Sequence, residues 1–120
     1  MKETINQLVD ALDRNVEYCN WVNEQTLSSY FKELENEIKE LKVAIEKNDI
    51  KNIKEELGDI IWDALMLTKI AEQRNNASTE EIIQDVIKKI KRRKPYIFEG
   101  KKVLTEEANR IWKESKNKEK

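Results

Sequence analysis

Two acidic pairs, Glu37-Ile38-Lys39-Glu40 and Glu56-Leu57-Gly58-Asp59, are the residues whose types and spacing could do chemistry. A spacing of three puts both members of a pair on one side of an α-helix. If the two helices that carry them pack antiparallel, four carboxylates converge. Such oxygens repel one another unless a cation lies between them. Carboxylate oxygen suits hard divalent ions, so the expected cation is Mg²⁺, or Mn²⁺. A solvated helix face offers the same spacing. Asp and Glu fill 24 of 120 positions, a density at which about five acid-x-x-acid pairs arise from composition alone. The chain has four: Asp10/Asp13, Glu37/Glu40, Glu46/Asp49 and Glu56/Asp59. Spacing leaves both readings open.

A basic cluster, Lys88-Lys89-Ile90-Lys91-Arg92-Arg93-Lys94, is the second feature. Cations at the C-terminal end of a helix are favoured by its dipole, which needs no function. The sharper reading pairs Lys89 with Arg93, four apart on one face. Such a pair could clamp a polyphosphate, Arg by bidentate contacts and Lys as a point charge. Trp21, Trp62 and Trp112 fit a core better than a base-stacking platform. Trp21 is the least comfortable there, because it falls in an expected loop. Trp112 and Lys116 share a face of the last helix and could meet a nucleotide. A plain amphipathic helix explains the same pair.

The elements that must position these residues are all helical. Ile5, Leu8, Val9, Leu12 and Val16 mark a first helix over about 3–17. Residues 19–23 read as a loop. Ser28 or Ser29 can cap a second helix that runs to about Lys47, with a stripe of Leu34, Ile38, Leu41 and Ile45. Glu37 and Glu40 fall on one flank of that stripe, Glu37 nearer its apolar centre. Asn48-Asp49 ends it and caps the next helix, about Ile50 to Arg74. Ile50, Ile53, Leu57, Ile60, Ile61, Ala64, Leu65, Thr68 and Ala71 form its inner side, and Glu56, Asp59 and Asp63 share its flank. Gly58 costs this helix about 1 kcal/mol relative to Ala, which invites close approach by a ligand or by another helix. Asn75-Asn76-Ala77 reads as a turn, and Ser78-Thr79-Glu80-Glu81 as a capping box for a fourth helix. Pro95 stops that helix, residues 96–100 form a loop, and Thr105 opens a last helix with a frayed Lys-rich tail. The expectation is an all-α antiparallel bundle of four to five helices, helices two to four at its centre, in a single domain over 1–120.

Composition closes off other classes. Charged residues are 39% of the chain, with only two Gly and one Pro, as in long charged helices over a thin core. A second subunit is expected to cover part of that core. The net charge of −1 gives no basic field for nucleic acid. No apolar run reaches membrane-spanning length and no secretory segment is visible, so a cytoplasmic protein is expected. Cys19 stands alone and cannot form an internal disulfide. Histidine is absent, which removes Cys/His zinc sites, His-dependent triads and Glu-x-x-His di-iron sites. Any metal chemistry must be built from carboxylates.

The order Trp21…Glu24-Gln25-Thr26, Glu37-x-x-Glu40, Glu56-Leu57-Gly58-Asp59, then Lys89…Arg92-Arg93-Lys94-Pro95-Tyr96-Ile97-Phe98 resembles the MazG-type nucleoside triphosphate pyrophosphohydrolases, over roughly residues 19–116. The resemblance implies an all-α enzyme that cleaves the α–β phosphoanhydride of (deoxy)nucleoside triphosphates to monophosphate and pyrophosphate. It implies a house-cleaning role in the nucleotide pool. Glu37, Glu40, Glu56 and Asp59 would be Mg²⁺ ligands, and Lys89 and Arg93 would hold phosphates. Trp112 and Lys116 would close the site, Trp21 would contact substrate, and the chain would assemble as a homodimer or homotetramer. One copy of the domain points to a short subtype. Two departures stand out. Cys19-Asn20-Trp21-Val22 replaces a common Cys-Pro-Trp-Asp, and Asn36 replaces the first of two adjacent glutamates. The rival readings are a non-catalytic helical interaction module and a related all-α phosphohydrolase of dUTP or a phosphoribosyl-nucleotide.

Overall fold

A computed structural model describes residues 1–75 and 77–119. Its elements are α1 (Lys2–Tyr18), α2 (Asn20–Asn23), α3 (Leu27–Glu46), α4 (Ile50–Asn75), α5 (Thr79–Arg93), α6 (Pro95–Phe98) and α7 (Thr105–Lys118). The described residues contain no strand. The chain divides into two compact units, Met1–Thr79 and Glu80–Lys120.

In the first unit α3 and α4 form a long antiparallel hairpin, and α1 packs against α4. The turn is tight because Asn48 takes a left-handed conformation, φ 53°, which Asn tolerates better than most residues. Asp49 then caps α4, its Oδ1 accepting from the Asn52 backbone N–H at 3.3 Å. The core sits toward the far end of the hairpin, where Leu12, Val22, Tyr30, Met66 and Ile70 are buried. Lys69 and Asp13 pair beside it at 2.7 Å.

Several local expectations are corrected. Residues 20–23 form a helical turn rather than a loop. The Gln73 amide donates to the Asn23 side chain, and Arg74 donates to the Asn23 and Gln25 carbonyls, so the end of this turn is tied to α4. The cap of α3 is Thr26, not Ser28 or Ser29. Its Oγ1 accepts from the Ser29 N–H at 3.1 Å, while Ser29 Oγ accepts from the Thr26 N–H at 2.9 Å. In α4, Ile50, Leu57, Ile61 and Ala64 are exposed within the chain, as are Ile38 and Ile45 of α3. Only part of each predicted stripe is therefore inward. Of the turn expected at 75–77, Asn75 ends α4 and Asn76 lies outside the described residues.

In the second unit α5 runs to Arg93, and Pro95 opens a further helical turn, α6, where a loop was expected. Proline suits a first helical position because its missing N–H would have no partner there. The Lys-rich tail is helical through Lys118 rather than frayed. No helix of the described residues is long and apolar enough to cross a membrane.

Candidate functional site

The inner seam of the α3–α4 hairpin has a regular step. Tyr30, Glu37 and Ala44 follow one another at intervals of seven on α3, and Glu56, Asp63 and Ile70 do so on α4. Residues seven apart return to one side of a helix and line one interface. Glu37 is therefore in the seam rather than on its flank. It faces Glu56, and each of the two carboxyl groups offers an oxygen within 4.8 Å of the other.

Glu37, Glu56 and Asp59 each offer an oxygen within 4.8 Å of the others. Glu40 stands at the exposed edge of this trio, hydrogen-bonded toward Glu56. The Glu56 carboxyl beside it, as a hydrogen-bond partner of the protonated form, pushes the Glu37 carboxyl up to about 8, with burial and the neighbouring Glu56, Glu40 and Asp59 charges adding to the effect. Glu40 is raised as well, first by its hydrogen bond to Glu56 and then by that residue's charge. Glu37 Oε2 and Glu56 Oε2 are buried without a hydrogen-bond partner. A buried oxygen without a donor is costly, and carboxylates gathered within 4.8 Å suit one cation. The donor set is all oxygen and acidic, as Mg²⁺ and Mn²⁺ require. A groove of about 420 Å³ opens beside the cluster, lined by Glu40 and Glu56 together with Lys39, Lys47 and Asn52.

Gly58, between Leu57 and Asp59, has open space where a Cβ would stand, with no atom within 4 Å. Within this chain it makes no tight helix–helix contact. Trp21 lies on α2, 49% exposed, its ring 6.0 Å from that of Tyr30 and tilted by 56°.

The predicted residues of the second unit fall on α5 and α7. Arg93 stacks over Trp112 at 4.9 Å, with Lys94 at 5.9 Å from the same ring. Arg93 Nη2 and Arg92 Nε donate to the two oxygens of Glu119 at 3.0 and 3.1 Å. These contacts hold the Glu119 carboxyl down at about 2, Arg93 contributing most. Arg93 Nε is buried without a partner. Lys89 and Lys116 are exposed, one turn from Arg93 and Trp112 respectively.

Two residues beside the acids carry more than their sequence positions indicated. Asp63 is only 8% exposed and accepts a 2.9 Å hydrogen bond from the buried Tyr30 hydroxyl. Burial raises the Asp63 carboxyl, partly offset by that bond. Burial also raises the Tyr30 hydroxyl, with the Asp63 carboxylate adding to it. The available signal was the interval of seven that links Tyr30 to Glu37 and Asp63 to Glu56.

Comparison with known proteins agrees with this architecture. The family model of the MazG nucleotide pyrophosphohydrolase domain matches residues 25–98. A crystal structure of a MazG-related protein from Thermotoga maritima superposes with a TM-score of 0.87 at 38% identity, covering 93% of this chain and 98% of that one. The nucleoside triphosphate pyrophosphohydrolase/pyrophosphatase MazG of Thermotoga maritima is 33% identical over 103 residues, 82% of this chain and 40% of its own length. An uncharacterized protein of Bacillus subtilis, YabN, is 32% identical over 85% of this chain and 21% of its own length. A nucleoside triphosphate pyrophosphohydrolase of Mycolicibacterium smegmatis is 29% identical over 95% of this chain and 37% of its own. The chain thus spans 21% to 40% of the length of these curated relatives.

Proposed function

The chain belongs to the MazG nucleotide pyrophosphohydrolase family, and on that premise we propose that it hydrolyses the α–β phosphoanhydride of nucleoside or deoxynucleoside triphosphates. The products are a monophosphate and pyrophosphate. The carrying observation is the pair of buried, unpartnered carboxylate oxygens of Glu37 and Glu56, facing across the α3–α4 seam. Glu37, Glu40, Glu56 and Asp59 would hold a divalent cation, Mg²⁺ or Mn²⁺. When bound, that cation supplies positive charge for the phosphate oxygens and acidity for water.

The chain's own residues do the rest. Glu37 or Glu40, the latter at the exposed edge of the cluster, would orient a water and take its proton. That water's oxygen bonds to phosphorus, the bridging P–O bond breaks, and pyrophosphate leaves. Lys89 and Arg93 are the proposed phosphate holders, Arg93 after exchanging Glu119 for a phosphate oxygen. Trp112 and Lys116 would close over the substrate, and Trp21 would take the base. The whole chain is read as one catalytic domain, because the family match over 25–98 crosses from the first unit into the second.

Assembly as a homodimer or homotetramer belongs to the same reading. Ile38, Leu57 and Ile61 are exposed beside the carboxylates. A second copy would cover them and keep water from the phosphates. The proposed setting is the cytoplasm, where such an enzyme would clear unwanted nucleotides.

The test is direct. With Mg²⁺ and a panel of NTPs and dNTPs, the chain is expected to release pyrophosphate, and EDTA is expected to stop it. Turnover that survives EDTA refutes the cation site. Release of orthophosphate alone refutes the bond assignment. Light scattering is expected to give at least twice the chain mass, and a fully active monomer refutes the assembly.

A further inference from the structure

Tyr30 is buried, yet its hydroxyl is bonded at 2.9 Å to a buried carboxylate from another helix, Asp63. A phenylalanine would fill the same core volume without that demand. The other face of the residue meets Trp21, whose indole is half in solvent although it lies against the core. Tyr30 thus joins three elements: α2 through its ring, α3 through its backbone and α4 through its hydroxyl. The Tyr30–Asp63 level lies seven residues from the Glu37–Glu56 level on each helix. At the rise of an α-helix that is ~10 Å, comparable to the span between the base and the phosphates of an extended nucleotide.

We propose that Tyr30, held by Asp63 at a level two helical turns from the carboxylates, is a positioning residue that fixes the Trp21 indole beside it and so governs how tightly the nucleoside half of the substrate is bound. The inference rests on the pyrophosphohydrolase reading, including Trp21 at the base, and adds to it the residues that hold that ring in place. Trp21 sits on a four-residue turn, too short to fix a ring by its own hydrogen bonds. An aromatic neighbour at 6.0 Å gives the indole a tilted contact surface. The hydroxyl bond stops that surface from rotating or sliding relative to α4. Substrate contact through Trp21 and charge neutralisation at Glu56 and Asp59 are then referred to one helix.

The readout is the ratio of KM for a nucleoside triphosphate to KM for methyl triphosphate, which lacks the nucleoside. Tyr30→Phe, which keeps the ring and removes the hydroxyl, is expected to raise that ratio about tenfold, as loss of one buried hydrogen bond would. Asp63→Leu is expected to do the same. Asp63→Asn keeps an acceptor for the hydroxyl and is expected to restore most of the ratio. Trp21→Ala is expected to raise the ratio at least as far, and Tyr30→Phe added to it to raise it no further. A purely structural role would lower the melting temperature and the fraction of active enzyme while leaving the ratio unmoved, and that result overturns the proposal. Additive effects of the Trp21 and Tyr30 changes overturn it too. If the unmodified chain releases no pyrophosphate from any nucleotide, the enzyme reading fails by itself. The same variants are then compared by calorimetric binding of an α,β-methylene nucleoside triphosphate with Mg²⁺. Weaker binding in Tyr30→Phe and Asp63→Leu, but not Asp63→Asn, supports the inference. Equal binding by all variants, or none by the unmodified chain, overturns it.

Discussion

Two levels of the same hairpin seam place an acid from α4 against a polar residue of α3, with opposite results. At Tyr30–Asp63 the partner is a hydroxyl, the bond is made, and the pair is buried and satisfied. Two turns away, at Glu37–Glu56, the partner is another carboxyl and an oxygen on each side is left without a donor. The interval along each helix is the same, although Tyr30 and Asp63 are buried while Glu37 and Glu56 are half-buried. The difference lies in whether the chain supplies the missing charge or proton. A satisfied buried acid holds helices in register, whereas an unsatisfied pair requires something from outside the chain.

The largest test of this contrast removes an acid from each level. Mg²⁺ is expected to raise the melting temperature of the unmodified chain; Glu56→Gln is expected to abolish that rise and to lower pyrophosphate release by about 10²-fold or more. The helical circular dichroism should remain. Asp13→Asn, an exposed acid in the same kind of spaced pair, should change little. If Asp13 and Glu56 behave alike, the carboxylate level is a solvated face and the contrast collapses.

The second test works in the other direction. Asp63→Leu leaves the Tyr30 hydroxyl buried without an acceptor, and chemical denaturation should show a loss of about 1–3 kcal/mol. The Mg²⁺-induced shift should persist. Asp63→Leu together with Tyr30→Phe removes both polar partners and should recover part of the stability, because an apolar pair of similar shape is close to neutral.

A third test uses pH on the metal-free chain. The Glu37 carboxyl is held up at about 8 against an ordinary 4.5. Between those values the folded chain binds more protons than the unfolded one, so stability falls as pH rises through that window. The melting temperature should drop from pH 4.5 toward pH 8, a saturating divalent ion should flatten or reverse the slope, and Glu37→Gln should flatten it without metal. A metal-free chain whose stability rises across the same window would show that the fold does not hold the Glu37 carboxyl up.

The smallest effect sharpens the question of what approaches the cluster. Gly58 has open space for a side chain, so Gly58→Ala should raise the stability of the isolated chain by about 1 kcal/mol. If a second copy or a substrate approaches there, the same change should weaken assembly or activity despite the gain. An alanine variant both more stable and fully active would leave that glycine without a role at the site.

Four of the five helical expectations, over residues 3–17, 28–47, 50–74 and 78–94, came from apolar residues recurring at helical spacing, and local periodicity carries that information well. The acidic pairs were legible for the same reason, since spacing within a helix is local. What periodicity could not supply was which side of each helix faces which neighbour. Glu37 read as a flank residue because Leu34, Ile38, Leu41 and Ile45 look like one stripe, yet Ile38 and Ile45 are exposed and the seam runs through Tyr30, Glu37 and Ala44. The Tyr30–Asp63 bond joins residues 33 positions apart, and no local pattern reports such a pairing. The helical turns at 20–23 and 95–98 escaped for a different reason. A four-residue helix has no period to detect, and it is stabilised by its ties to other elements rather than by its own sequence.

The left-handed Asn48 turn has a consequence for the order in which the chain folds. All four carboxylates lie within residues 37–59, on either side of a turn that closes with the minimum of slack. Short loops close faster and at lower entropic cost than long ones. The cluster is therefore expected to assemble with the hairpin, ahead of the docking of α1, whose contacts with α4 span more than 50 residues. Without a cation, this early hairpin carries the repulsion of its own carboxylates. Divalent ions should then act on the folding rate as well as on final stability, and hydrogen-exchange labelling during refolding should show α3 and α4 amides protected before those of α1. Protection of α1 first would mean that the core end, not the turn, nucleates the fold.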